Sequence, residues 1–551
     1  MPVAPFRLTA VARCATLLAS LPIGGIAAQS GAAPDARYRH LTTLFAEWRP
    51  FQRPRVVDGV PDYSAAAMAR QRLALPVWQA RLRAIDTTGW SIAQQVDWHL
   101  VRAEMHGLEF DHRVLRPWAE NPAFYVSVFA DQSDQPRREG PFVEGSVELW
   151  KYTRPLSAAA MQEITPGLAR VAPLFAQARR NLVGNRADLW RYASNALTEQ
   201  EEALAGLLAA HDSTSPFGTT VREARDATRA FATWVAERAK TRTGPSGIGE
   251  REYDWYLKHV QLVPLGYREV KAQLERELAR SHAFLALEEQ RNAALPELVP
   301  VASEAEHAAR FPAAVEAYVK WMGARGILEL RDWMVPALTA RVGRFRAGPR
   351  EFFTEVDYRD PMVMRTHGYH WIDMERIARE PSASPIRSAI LLYNIFDTRT
   401  EGLATGWEEM MLQAGLFDAS PRSRELIYVL LAQRAARALG ELLMHGAQRP
   451  VTEAAAFAVA NTPRGWLRSG GGLVWFEQHL YLQQPGYGIS YVIGKIDLER
   501  TMARRRAQLG PAFRMDRFMA EVERAGLIPA SLLRWEVTGE LPADVQRVLS
   551  R

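Results

Sequence analysis

Two histidines and a carboxylate lie close together in the stretch THGYHWIDMER, residues 366–376. His367, His370 and Asp373 follow one another at intervals of three residues. On a continuous helix that begins at Thr366, a good N-cap residue, this spacing lets two of the three side chains share a ligand. Imidazole and carboxylate groups suit zinc, and a third or fourth ligand has to come from another segment. The same residues also fit histidines that only pack or form hydrogen bonds near a helix start.

The nearest source of further ligands is the next long helical stretch, residues 391–412. Polar residues recur there at roughly helical spacing, opposite a stripe of apolar residues. A stripe of this kind is either the solvated face of an amphipathic helix or a set of site residues, and the pattern alone favours the solvated face. The polar residues are Asn394, Asp397, Glu401, Thr405 and Glu408.

A competing polar stripe occurs earlier, in residues 97–113. No acidic stripe of the same kind follows it closely, so a structural role is favoured for this cluster. Its members are His99, Arg102, His106 and Glu109.

The sequence lacks the motifs of several enzyme classes. It contains no GxxxxGK[ST], no GxGxxG between a strand and a helix, and no GxSxG elbow. None of its 12 histidines is followed by glutamate, so the HExxH motif is absent. The 68 basic and 62 acidic residues are interspersed without long blocks of one sign, which argues against a nucleic-acid partner.

Residues 1–28 have the layout of a secretory signal peptide, in which basic residues precede an uncharged stretch ending in small residues at Ala27 and Ala28. The uncharged run is shorter than the roughly 20 residues that span a bilayer, and no later segment is apolar enough to do so. Cys14 is the single cysteine, and Arg13 before it argues against a lipid anchor. We therefore expect an exported, periplasmic protein with no integral membrane segment, no disulfide and no thiolate ligand.

Helical periodicity dominates the mature chain. Residues 63–86, 170–211 and 421–446 show apolar positions at three- and four-residue spacing and are rich in good helix formers. The best candidates for strands are residues 124–130 and 472–482. We predict a mainly α fold with few short strands.

The clearest change in composition is at residues 241–252, where glycines, a proline and a serine indicate a linker or an exposed loop. This segment divides a single domain of residues 29–551 into an N-terminal helical lobe, 29–240, and a C-terminal lobe, 253–551, that carries the candidate site. The two halves form either two lobes around a cleft or two layers of one domain.

Segments along nearly the whole mature chain match, in order, the pattern of one bacterial family. The segments are residues 61–86, 94–110, 250–280, 400–411, 437–445 and 483–495. Through them the chain resembles the family catalogued as domain of unknown function 885. Its members look like exported, mainly helical proteins that are distantly similar to helical zinc peptidases. The resemblance implies a large helical fold of that kind, with two helical lobes around a cleft.

The resemblance also implies roles for particular residues. TEGLATGWEEMM, residues 400–411, is similar to the family's Glu-Gly-Trp-Ala stretch and places Glu401 on the glutamate expected to bind metal. RALGELLMH resembles an Arg-x3-Asp-x3-His run, matched at Arg437, Glu441 and His445.

QQPGYGISYVIGK, residues 483–495, is similar to a Pro-Gly-Gln-Ala-x-Ser-Tyr-Lys-x-Gly stretch of the same family. Ser490 and Tyr491 match that pattern, whereas Tyr487 replaces its glutamine and Val492 its lysine.

One departure from the family concerns the proton acceptor. Typical members carry His-Glu-x-x-Pro-Gly-His-His upstream of the Glu-Gly-Trp-Ala stretch, where this chain has RTHGYHWID with Gly368 after His367. The glutamate that would act as general base is therefore absent, and such a base is worth roughly 10²–10⁴ in rate. Three outcomes are open: a metal site with a different base, a metal site without hydrolysis, or a cleft that has lost its metal.

The leading hypothesis is an exported metallopeptidase-like hydrolase that acts on a peptide or small amide. Zinc or a similar divalent metal would be held by His367, His370 and Glu401. Glu408 or Asp373 would act as base or support a metal ligand. His445 and Tyr491 would stabilise a developing oxyanion.

Two alternatives use the same scaffold. One is a non-catalytic periplasmic protein that binds a peptide or a cell-wall fragment without cleaving it. The other is an interaction scaffold with no small-molecule site, which leaves the polar residues of 365–401 unexplained.

Overall fold

The computed structural model describes residues 32–550 and consists mainly of helices, as predicted. The predicted signal peptide and Cys14 lie outside the described residues. The helices are, in chain order, α1 Ala32–Gln52, α2 Ala65–Arg83, α3 Ile92–Phe110, α4 Pro117–Glu120, α5 Ala158–Ala169, α6 Val171–Asn181, α7 Ala187–Ala210, α8 Pro216–Ala239, α9 Glu250–His259, α10 Tyr267–Arg291, α11 Glu304–Ala324, α12 Met334–Thr339, α13 Phe352–Arg359, α14 Pro361–His367, α15 Tyr369–Arg379, α16 Asp397–Gln413, α17 Pro421–His445, α18 Val451–Asn461, α19 Leu473–Gln483, α20 Tyr487–Leu509, α21 Met515–Ala525, α22 Ala530–Thr538 and α23 Ala543–Leu549. Short 3₁₀ turns lie at Pro122–Tyr125, Leu149–Lys151, Leu392–Asn394, Pro463–Gly465 and Gly510–Ala512, and a π-helical turn lies at Asp111–Leu115.

Strand structure within residues 32–550 is limited to two small sheets and an isolated bridge. β1 (Val56–Val57) pairs antiparallel with β2 (Val60–Pro61), and β3 (Val128–Phe129) pairs in parallel with β4 (Val147–Glu148). The strand predicted at 124–130 is thus confirmed in part, whereas 472–482 forms α19 and that prediction is wrong. Six consecutive residues of α19, from Glu477 to Leu482, are buried. Polar and apolar residues therefore do not separate onto two faces, and the sequence lacks the 3.6-residue period of an amphipathic helix.

None of the helices within the described residues has both the length and the apolar composition needed to cross a bilayer.

The largest hydrophobic core joins the two ends of the described chain. Leu41, Trp48 and Phe110 pack in one cluster with Trp407 and Leu533. A second cluster lies within residues 60–235 and is formed largely by α5–α8. The first core therefore spans both sides of residues 241–252.

The segment 241–252 lies against its neighbours. Ser246 is buried and its hydroxyl accepts a hydrogen bond from the Asp188 amide, at 2.8 Å. The Gly249 amide donates to the carbonyl of His445, at 2.9 Å. A Cβ on Gly247 would lie 1.9 Å from the carbonyl oxygen of Met444, so only glycine fits there.

The single helix predicted from Thr366 onward is broken at Gly368. α14 ends at His367, and α15 begins two residues later. Thr366 is buried in the last turn of α14, where its hydroxyl donates to the Val363 carbonyl, at 2.6 Å. The predicted N-cap role of Thr366 is therefore wrong, because the true cap of this region is Asp360, at the start of α14.

Helices α16 and α20 cross in close contact at two glycines. A Cβ on Gly494 would lie 1.8 Å from the carbonyl oxygen of Thr398, and one on Gly402 would lie 2.3 Å from the Cα of Gly494. Because no side chain fits between the two backbones, this crossing requires glycine on both helices. It brings Glu401 of α16 next to Tyr487 of α20.

The polar stripe of residues 391–412 lies inside the protein. Its members Asn394, Asp397, Glu401, Thr405 and Glu408 are all at most 3% exposed. The solvated-face interpretation of this stripe is therefore wrong. Polar groups buried this deeply require charged or hydrogen-bonding partners.

Candidate metal centre

A cavity of about 1150 Å³ opens beside the buried polar stripe. Its walls come from the loop 128–142, from α7, from the loop 341–346, from the α14–α15 junction and from the pair α19–α20. Both halves of the chain therefore contribute to it.

Asp134, His367 and His370 meet at the wall of this cavity. One ligand atom from each residue lies within 4.8 Å of the others, and the two imidazole rings are 4.9 Å apart. The break at Gly368 creates this pairing, because it places one histidine at the end of α14 and the other in the first turn of α15. Nitrogen and oxygen donors in such a cluster suit zinc and neighbouring transition metals.

Glu401 extends the cluster. Its Oε2 atom forms an ion pair with His370 Nε2 at 3.3 Å, and neither atom has a hydrogen-bond partner among the described residues. A tetrahedral zinc site with ligand distances of about 2.0–2.1 Å separates its ligand atoms by roughly 3.3 Å. Two buried ligand atoms that face each other at that separation fit a shared metal.

Each group of this pair stabilises the charged form of the other. Burial by itself favours the neutral imidazole, but the Glu401 carboxylate outweighs it and raises the pKa of His370 to about 9. Burial likewise opposes ionisation of Glu401, but the neighbouring His370 lowers the pKa of that carboxyl to about 2. Without a metal the pair is therefore an imidazolium facing a carboxylate, and a metal would have to displace the proton of His370 to bind both groups.

The second oxygen of Glu401 is held by two donors. The Tyr487 hydroxyl donates to Oε1 at 2.5 Å, and the Gln135 side-chain amide donates to the same atom at 2.7 Å. Tyr487 stands where the resembling family has glutamine. Gln135 is adjacent to Asp134, so this hydrogen bond ties the loop that carries Asp134 to α16.

Glu408 orients His367. The Glu408 carboxylate lies 3.1 Å from His367 Nδ1 and accepts two hydrogen bonds from Arg434, at 2.6 and 2.7 Å. Arg434 Nη2 is also 3.1 Å from Nδ1. A proton on Nδ1 would point at the Glu408 carboxylate and leave Nε2 for a metal, in the carboxylate–histidine arrangement common around zinc. The hydrogen bond from Arg434 Nη2 belongs to the other tautomer, in which Nδ1 accepts. Metal binding at Nε2 would therefore exchange the Arg434 contact of Nδ1 for the Glu408 contact.

Asp373 is occupied by two arginines. It accepts hydrogen bonds from Arg399 and from Arg376, and all three side chains are buried. Burial raises the pKa of Asp373, but the two guanidinium charges dominate and lower it to about 2. Asp373 does not line the cavity, and this strongly paired carboxylate is a poor proton acceptor.

The two residues predicted to stabilise an oxyanion have different locations. His445 Nε2 is 2.9 Å from the Tyr481 carbonyl, its ring packs on Tyr253, and it is not part of the cavity wall. Tyr491 does line the cavity, and its hydroxyl lies 3.5 Å from that of Tyr487. The structure thus brings Tyr491 to the site and places His445 behind the wall.

Glu139 is a cavity residue that no pattern in the sequence singles out. The Tyr487 hydroxyl lies 3.4 Å from Glu139 Oε1, so one tyrosine contacts both Glu139 and Glu401. Burial and the nearby Asp134 raise the pKa of Glu139 to about 7. Asp134, Gln135 and Glu139 all lie in the polar loop DQSDQPRREG, residues 131–140, which has no ligand spacing or periodicity that could have revealed them.

The competing stripe of residues 97–113 lies away from the cavity. Arg102 donates to the carbonyl of Leu549 at 3.2 Å, and His106 pairs with Glu109 at 3.2 Å. These contacts support the structural role favoured from the sequence.

Two solved structures share this fold. One is described as "a putative lipoprotein of unknown function from Shewanella oneidensis", with a TM-score of 0.62 and 13% identity over 91% of this chain and 98% of that one. The other is a "putative lipoprotein from Colwellia psychrerythraea", with a TM-score of 0.58 and 12% identity over 93% and 98% of the two chains. No family model and no curated protein matches the sequence. At these identities the likeness shows a common fold that extends over nearly the whole chain.

Proposed function

We propose that this protein is an exported, metal-dependent hydrolase of peptide or amide bonds. The main support is the facing pair of His370 Nε2 and Glu401 Oε2, 3.3 Å apart, buried and without hydrogen-bond partners among the described residues. Asp134 and His367 lie in one cluster with His370, and Glu401 adjoins this cluster through its contact with His370. The sequence resemblance to the domain of unknown function 885 family points to the same residues, apart from Asp134.

A bound zinc ion would act there as a Lewis acid and activate water. The protein's own residues would position the metal ligands and accept protons. Glu408 orients His367, and Tyr487 with Gln135 holds Glu401. Tyr491 offers a hydroxyl from the cavity wall to a developing negative charge.

Glu139 is the proton acceptor in this proposal. It lines the same cavity, and it is linked to Glu401 through the Tyr487 hydroxyl. Glu408 and Asp373, the two carboxylates selected from the sequence, are each engaged by arginine. A carboxylate with a pKa near 7 accepts a proton at neutral pH and can return it, which the arginine-paired carboxylates do poorly.

We also propose that the protein is exported and located in the cell envelope. Residues 1–28 have the layout of a signal peptide, and the two proteins that share the fold are described as lipoproteins.

The first test is metal content, measured by mass spectrometry on residues 29–551 purified without chelator. We expect about one zinc or similar ion per chain, lost in His370→Ala and in Glu401→Ala. His307→Ala is the matched control, because His307 lines the same cavity but stacks on Phe311 at 3.8 Å outside the cluster. A folded wild-type protein without metal, which also takes up none on dialysis against zinc, would refute the metal centre.

The second test separates a hydrolase from a binding protein. We expect a peptide library to be cleaved by the wild-type protein, with cleavage abolished by chelator and restored by zinc. Glu139→Gln should bind metal normally and lose about 10²–10⁴ in rate. If metal is bound but no peptide is cleaved, the binding-protein alternative is favoured. The replacement of the usual base by Gly368 would then account for the missing hydrolysis.

A further inference from the structure

The cavity wall formed by α17, α19 and α20 carries buried polar atoms without partners. Arg437 Nε and the Tyr481 hydroxyl are both buried, and neither has a hydrogen-bond partner among the described residues. The two side chains are 3% and 1% exposed, and both line the cavity. A buried polar atom without a partner destabilises the fold, so its retention here calls for a reason.

Arg437 uses only one end of its guanidinium within the protein. Its Nη1 donates to Glu477, whereas Nε has no hydrogen-bond partner among the described residues. The guanidinium lies over the ring of Tyr491, 4.4 Å from its centroid. Nε and Nη2 form one edge of the planar fork, which is the edge that binds a carboxylate through two parallel hydrogen bonds.

This arginine is close to the candidate metal centre. The Tyr491 hydroxyl lies 3.5 Å from that of Tyr487, which in turn donates to Glu401 at 2.5 Å. Two tyrosines therefore connect the Arg437 guanidinium to Glu401.

We propose that Arg437, with the hydroxyl of Tyr481, binds a carboxylate of the substrate. The inference rests on the proposed hydrolase function and specifies its substrate class: peptides or acylated amino acids with a free carboxylate next to the scissile amide. The wall offers hydrogen-bond donors, which match the acceptor-only chemistry of an ionised carboxylate. The Glu477 carboxylate pairs with the guanidinium in the absence of substrate, which lowers the free-energy cost of burying the arginine charge.

The test compares two tripeptide libraries that differ only in a free or amidated carboxyl end. Cleavage is followed by mass spectrometry in the metal-loaded protein. We expect a preference of about 10–100-fold in kcat/KM for the free acids, the size of a charge-assisted pair of hydrogen bonds. Equal cleavage of the two libraries would overturn the proposal.

Two sets of variants separate binding from folding. Tyr481→Phe removes a hydroxyl that has no partner among the described residues, so it should not lower the melting temperature. It should raise KM for the free acids several-fold. Arg437→Gln combined with Glu477→Gln removes both charges of the buried pair and should abolish the preference between acid and amide. Tyr358→Phe, on another part of the same cavity wall, should keep the preference.

The proposal stays testable if the protein does not hydrolyse peptides. The same two libraries are then compared by equilibrium dialysis, and the metal content reports separately on the proposed function. Preferential retention of free acids by the wild-type protein, lost in the Arg437→Gln, Glu477→Gln double variant, supports the carboxylate site. Equal retention of acids and amides, or retention of neither, overturns it.

Discussion

His370 Nε2 and Glu401 Oε2 lie 3.3 Å apart in the interior, on two different helices, and both atoms lack a hydrogen bond to the described residues. α15 and α16 thus bring an imidazole and a carboxylate together beside the cavity. In the proposed function a divalent cation would bind both atoms in place of the imidazole proton.

Metal removal should therefore lower stability. A ligand that binds only the folded state adds about 2.7 kcal/mol to the free energy of unfolding at a concentration of 100 times its Kd. We expect zinc to raise the melting temperature of the chelator-treated protein and to leave that of Glu401→Gln unchanged, as read by differential scanning calorimetry. An equal zinc response in the wild type and in Glu401→Gln would exclude Glu401 as a ligand.

The ion pair between Arg434 and Glu408 is fully buried, with both side chains 0% exposed. Arg434→Leu leaves the Glu408 charge without its partner and should cost about 3–5 kcal/mol in denaturant unfolding. It should also weaken metal binding about 10–100-fold, because Glu408 orients His367.

The control for this pair is Arg504→Leu, which breaks an exposed pair with Glu540 and should cost less than about 1 kcal/mol. The double variant Arg434→Leu, Glu408→Leu should recover much of the lost stability, since no charge is left buried alone. A small loss in the single Arg434 variant would show that Glu408 is solvated or protonated.

The crossing of α16 and α20 predicts a steric effect. Gly494→Ala would place a Cβ 1.8 Å from the Thr398 carbonyl oxygen, so the two helices must separate. We expect a loss of about 3 kcal/mol or more, beyond the usual cost of overpacking, together with reduced metal affinity because Glu401 moves. Denaturant unfolding and metal titration measure the two effects.

Gly206→Ala is the matched control on α7. A Cβ there meets nothing within 4 Å, and alanine is the better helix former, so this variant should gain about 0.5–1 kcal/mol. Similar changes in the free energy of unfolding for Gly494→Ala and Gly206→Ala would contradict the close crossing of α16 and α20.

Asp111 predicts a pH dependence of stability away from the site. Its carboxyl lines a small second cavity of about 100 Å³, and burial raises its pKa to about 7, with Arg137 opposing the shift. Since the folded protein binds this proton more tightly than the unfolded chain does, the contribution is present below pH 4 and is lost as the pH rises to about 7.

Asp111→Asn should accordingly behave like the wild type at pH 4. At pH 8 it should be more stable by about 1–2 kcal/mol, a value reduced from the full shift because the side chain is only partly buried. Urea unfolding at the two pH values tests this. A variant that is less stable than the wild type at pH 8 would show that Asp111 works as a charged partner of Arg137.

Local patterns in the sequence were sufficient for the fold class and selected part of the candidate site. The repeated helical periodicity predicted a mainly α protein, because apolar spacing along a helix is a property of neighbouring residues. The same reasoning singled out His367 and His370, and the resemblance added Glu401. It failed at Thr366, because the chain breaks at Gly368 between α14 and α15, where a Cβ would lie 3.0 Å from Leu338.

The remaining residues of the candidate site meet only through long-range packing. Gln135 and Glu401 are 266 residues apart and meet by a hydrogen bond, and Asp134 joins the two histidines through the same loop. No local pattern encodes such contacts, because they arise when separate cores pack together. Burial was decided in the same way: the stripe on α16 has the composition of a solvated face, yet α17, α20 and the loop 131–140 enclose it. Local sequence patterns point to side chains of a type that binds metals, whereas the packing brings particular ones together, since contacts between distant segments form only in the folded chain.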